Sequence, residues 1–102
     1  MAKVVGIIRH VDPRLLHISP SRPQGADPGK LQKQIALYGR SADGMPPIWV
    51  TEMADGEFVI NNGMTRATRI AKIAPGTLVP IIVIDRSGAT ASKIPTVGER
   101  LP

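Results

Sequence analysis

The sequence predicts an α+β domain, a small mixed β-sheet with two main helices. Three observations predict it. Short runs of β-branched and aliphatic residues recur at 4–8, 48–53, 57–60 and 79–84. Two intervening segments carry apolar residues at helical spacing, and Asp55-Gly56 falls between two of the runs as a hairpin turn. At 102 residues the chain suits one domain.

Val4-Val5-Gly6-Ile7-Ile8 reads as the first strand, Asp12-Pro13 as a turn and Leu15-Leu16-His17-Ile18 as a shorter strand. The Pro- and Ser-rich stretch 19–26 has no periodicity and reads as a loop. A helix follows. Asp27 caps it, Pro28 takes its first position, Leu31, Ile35 and Tyr38 line its apolar side, and Gly39 stops it. Lys30 and Lys33 point the other way. After a loop at 41–47, Ile48–Met53 and Glu57–Ile60 form the hairpin arms. Asn61-Asn62-Gly63 then opens the second helix. Ala67, Ile70, Ala71 and Ala74 form its apolar stripe, and Thr65, Thr68, Arg69 and Lys72 its polar one. Pro75-Gly76 ends it. Val79–Ile84 is continuously apolar and predicts a strand buried on both faces, with Pro80 near its start. From Arg86 the chain reads as an irregular or mobile tail.

Composition narrows the function. With no cysteine, disulfides, thiolate metal sites and a cysteine nucleophile are excluded. One Phe, one Tyr and one Trp leave no aromatic platform for stacking bases. No apolar run reaches the ~20 residues of a membrane span, and Met1–Gly6 lacks a leader's apolar core, so the expectation is a soluble cytoplasmic protein with no membrane partner. Thirteen basic side chains against eight acidic leave a surplus of five, unevenly placed. Residues 1–40 carry seven basic and two acidic, 41–65 four acidic and none basic, 66–102 six basic and two acidic. Two basic flanks around an acidic middle suit a polyanionic partner, and equally an ordinary solvated surface.

The turn into the second helix is the most informative stretch. Asn61-Asn62-Gly63-Met64-Thr65-Arg66 joins a strand end, a glycine and a helix N-terminus, where unpaired N–H groups and the helix dipole favour an anion. Gly63 permits close approach, Thr65 adds a hydroxyl and Arg66 a forked donor; Arg69 and Lys72 extend the charge. The alternative is a plain helix start with Asn62 as cap and Arg66 in solvent.

The order of Leu15-Leu16-His17-Ile18, a helix ending at Tyr38-Gly39, Pro47-Ile48-Trp49-Val50, Asp55-Gly56, Val59-Ile60, Gly63 with Arg66, an alanine-bearing helix and Val79-Pro80-Ile81-Ile82-Val83 resembles the ParB N-terminal/sulfiredoxin-like superfamily, which includes ParB-like nucleases. The resemblance covers about residues 14–85. It implies a ParB/sulfiredoxin-like domain over 1–86, followed by the tail at 87–102. It also implies a Gly-x-x-Arg turn, here Gly63 and Arg66, that binds a phosphate of a nucleotide such as CTP or ATP, with Mg, or of nucleic acid. The departures are specific. Gly63-Met64-Thr65-Arg66 lacks the acidic residue and first arginine of the partition proteins' Gly-Glu-Arg-Arg, the cysteine of the sulfiredoxins' Gly-Cys-His-Arg, and the histidines of Gly-His-His-Arg members. Peroxiredoxin repair is excluded, and no helix-turn-helix fits after Asp85.

Other residues present rival readings. Glu52, Asp55 and Glu57 gather around the hairpin as metal or general-acid candidates, or as a solvated tip. They carry the enzyme alternative, a metal-dependent nuclease or nucleoside-triphosphate hydrolase of effector or toxin type, with Glu52 and Glu57 catalytic. His10 and His17 lack companions for a metal set and read as surface or packing residues; Ser19 and Ser21 read as loop residues. Trp49 presents one face to the core or serves as an exposed anchor. A third possibility is a non-catalytic interaction module docking an acidic partner.

Overall fold

The computed structural model describes residues 8–102. The strand expected over 4–8 lies outside them apart from Ile8, as does the N-terminal start. The domain holds a four-stranded mixed sheet and two helices. In chain order these are β1 (Ile8–Val11), α1 (Pro28–Tyr38), β2 (Ile48–Glu52), β3 (Phe58–Asn62), α2 (Met64–Ile73) and β4 (Val79–Arg86), with short 3-10 turns at Pro13–Leu15 and Gly98–Arg100. The sheet order is β1-β4-β2-β3. β4 runs antiparallel to β1 and parallel to β2, and β2 and β3 form an antiparallel hairpin. A parallel β2–β4 pair requires a crossover, and α2 provides it.

Local chemistry sets the element ends. Asp27 accepts the Lys30 N–H at 2.9 Å, Pro28 fills a first-turn position with no N–H to satisfy, and Gly39 at φ +56° closes α1 through its N–H to the Ile35 carbonyl. At the hairpin, Asp55 accepts N–H groups from Glu57 and Ala91. Leu16, Ile18, Ile48, Val50, Ile60, Val79, Ile81 and Val83 build the core with Met64, Ala67, Ile70, Ala71 and Ala74 of α2.

Five expectations change. β4 alternates instead of burying both faces: Val79, Ile81 and Val83 point inward, while Pro80, Ile82 and Ile84 stay half-buried. α2 packs on one side of the sheet, and the outward side keeps Trp49 48% exposed beside Ile82. Trp49 therefore stands outside the core. Tyr38, expected on the apolar side of α1, is exposed, because the helix seats only Leu31 fully. Within 15–18 only Leu15 belongs to a 3-10 turn, and the rest is an extended stretch in which His17 bridges Val59 on one side and Thr96 on the other. The residues after Arg86 are largely irregular yet docked. Ala54 N–H reaches the Ala89 carbonyl, Ile18 N–H that of Pro95 and Val97 N–H that of Leu16, with Ala91 and Val97 buried. Side chains at 91, 94, 97 and 101 supply apolar surface that a polar tail would lack, so the tail shares the core.

Candidate anion site

β3 delivers the chain to Gly63, which adopts φ +111°, a left-handed conformation that side chains disfavour. A Cβ here would lie 2.8 Å from Arg66 Nη2 and 3.0 Å from Ile48 Cγ1. Glycine thus serves two ends: it turns the chain into α2 and lets the Arg66 guanidinium fold back over the helix start. Asn62 is not the cap; Gly63 occupies that position, and α2 begins with no side-chain cap and no acidic residue in its first turn. The first-turn N–H groups are therefore left to a ligand or solvent.

Arg66 is half-buried and not free in solvent. Its Nη2 donates to the Pro47 carbonyl at 3.2 Å, while buried Nε has no partner. Desolvation lowers its pKa from the ordinary arginine value, a sign that the folded site disfavours the bare cation. Thr65, also half-buried, lies beside it.

These residues floor a cavity of about 410 Å³ between α2 and α1. Arg22, Lys30, Lys33 and Arg66, from three separate stretches of chain, line it together with Ser19, Asn61, Asn62, Gly63 and Thr65; none of its described lining residues is acidic. Four cations and no carboxylate line one cavity together with the uncapped helix start, so the lining carries positive charge only. Sequence reasoning missed Ser19, Arg22, Lys30 and Lys33. The available signals were the basic surplus of residues 1–40 and the i, i+3 pairing of the two lysines; what sequence withheld was that α1 turns that face towards α2.

Arg69, expected to extend the site, does something else. It is 3% exposed, donates from Nη1 to the Gly39 and Ser41 carbonyls at 2.6 and 2.8 Å, and lies over the Tyr38 ring. It pins the C-terminal end of α1 to α2. Three residues beyond Arg66, it lies on nearly the same helix face but about 4.5 Å further from the helix start, beside the end of α1 instead of the cavity. Thr68 likewise is buried and bonds the Met64 carbonyl; Lys72 is exposed.

The hairpin carboxylates diverge. Glu52 accepts Arg86 Nε at 2.9 Å, whereas Glu57 meets His17 Nε2 at 3.1 Å, and in register Glu52 lies opposite Phe58. Among the described residues no group of three or more His, Cys, Asp and Glu could hold a metal ion. His10 is exposed on β1, His17 is buried, and Ser19 Oγ donates to the Ile60 carbonyl. No described helix is long and apolar enough to cross a membrane.

No protein-family model matches the chain, and a search of curated proteins finds no match.

Proposed function

We propose that this protein is a ParB/sulfiredoxin-like domain that binds the phosphate of a nucleotide or nucleic acid in the cavity at the start of α2. One observation carries the reading: four cations from three stretches converge, without a lining carboxylate, on an uncapped helix N-terminus. Arg66 supplies forked donors, the first-turn N–H groups and Thr65 supply further donors, and Arg22, Lys30 and Lys33 supply charge at the walls. The residues fit the phosphate and not the magnesium ion. The oxygens lining the cavity come from amides, hydroxyls and main chain, a weak set for a divalent cation, so no step is routed through a metal. Nothing in the geometry favours hydrolysis by Glu52 and Glu57, which are engaged with separate partners.

Calorimetric titration at low salt tests this, using a nucleoside triphosphate and a short single-stranded oligonucleotide as separate ligands. Saturable binding of either, lost in Arg66→Ala, is the expected result. Absence of binding by both, under conditions where phosphate contacts are strongest, overturns it.

A further inference from the structure

His17 is a buried titratable group that is not among the residues lining the cavity, and its ring faces two acceptors. Nδ1 lies 2.6 Å from the Ile94 carbonyl oxygen and Nε2 lies 3.1 Å from Glu57 Oε1. A carbonyl can only accept, so Nδ1 must carry a proton; an ionised carboxylate can only accept, so Nε2 must carry the second. Both contacts are hydrogen bonds only when the ring is the imidazolium.

The two partners belong to different parts of the fold. Glu57 begins the returning arm of the hairpin, and Ile94 belongs to the tail. The His17 backbone lies between the same two parts, taking a bond from Ile60 N–H and giving one to the Phe58 carbonyl, with a bridge to Thr96 on the other side. We infer that His17 is a proton-dependent brace: as imidazolium it ties the tail to the β2–β3 hairpin, and as the neutral ring it holds one side only.

The hairpin presents Glu57 to the ring, and the turn at Gly98–Arg100 presents Glu99, whose carboxyl is held below its usual range chiefly by the Thr96 N–H, with smaller favourable interactions from Arg100 and His17. The facing residues of β3, Phe58, Val59 and Ile60, carry no charge, and Arg14 in the preceding turn is exposed. The brace is complete when both ring nitrogens carry protons and half made when one of them is lost.

The amides of Ile18 and Val97, which bond the Pro95 and Leu16 carbonyls at 2.9 and 2.7 Å, report on the junction. Native-state hydrogen exchange at about pH 5.5 and about pH 8, on either side of the imidazole range and corrected for intrinsic exchange, gives their opening constants. The expected increase at the higher pH is about tenfold, the loss of one charge-assisted bond. In Glu57→Gln the amide N–H can donate to a neutral Nε2, so the pH dependence collapses; Glu57 is half exposed, which favours folding of the variant. Nitrogen-15 shifts of the wild-type ring give a second readout and should show both nitrogens protonated at the lower pH. Opening constants equal at the two pH values, a pH dependence retained in full by Glu57→Gln, or a neutral ring at the lower pH would overturn the inference.

Discussion

The hairpin and the α2 N-terminus both concentrate one sign of charge, and the fold treats them in opposite ways. The acids of the hairpin are paired internally: Glu52 with Arg86, Glu57 with His17, and Asp55 with two backbone amides. Arg22, Lys30, Lys33 and Arg66 border one cavity, and no ion pair joins any of them to a carboxylate among the described residues. A self-paired cluster is complete within the chain. A like-charged cluster without a counter-charge gains when an anion arrives, because binding relieves repulsion and supplies acceptors at once. That difference is why the hairpin is read as a structural corner and the α2 N-terminus as the proposed binding site, although in sequence the acidic trio looks as much like a site as the glycine turn does.

The largest effect is expected at Gly63. Gly63→Val should destabilise the domain by about 2–4 kcal/mol, from the left-handed backbone and the contacts with Ile48 and Arg66. Urea denaturation measures it, and a loss below about 1 kcal/mol would show that the turn relaxes freely. Arg66 and Arg69 come next and sharpen the comparison within one helix. Arg66→Ala should weaken phosphate-ligand affinity about 10- to 100-fold, as expected for a charge-assisted contact, while stability falls little. Arg69→Ala should cost about 1–3 kcal/mol, because it leaves the Gly39 and Ser41 carbonyls short of a donor. Affinity per folded molecule should hold. An exchange of these two outcomes would reverse the assignment of roles.

Replacing Lys30 and Lys33 together with alanine should lower the salt dependence of binding, each lost phosphate contact reducing the logarithmic slope by roughly 0.7–0.9. An unchanged slope would remove α1 from the site. Smallest of all is Glu52→Gln. Its partner Arg86 is largely exposed, so stability should shift by no more than about 0.5 kcal/mol, with ligand affinity unaffected. A large loss of binding would break the contrast between the two regions.

Much of this fold was legible because the relevant signals are local. Asp27, Pro28 and Gly39 mark α1 through capping chemistry that acts within a few residues, and Asp55-Gly56 marks its turn in the same way. Gly63 and Arg66 were readable for that reason too. Arg69 was not, since a polar side chain at helical spacing reads as solvent-facing until the α1 carbonyls that capture it are known. His17 and the tail escaped for a related reason. Their partners lie 40 and 77 residues from the histidine, and pairing at that range leaves no periodicity in the chain. The cavity's lysines were visible as charge and invisible as geometry, because which neighbour a helix face meets is a tertiary fact.

Backbone amide shifts under titration with a nucleoside triphosphate at low salt test the central claim most directly. The account expects the largest changes at residues 63–66, with smaller ones at Arg22, Lys30 and Lys33, and little change at the hairpin tip around Asp55. Changes centred on the hairpin, or none anywhere at saturating ligand, would contradict it.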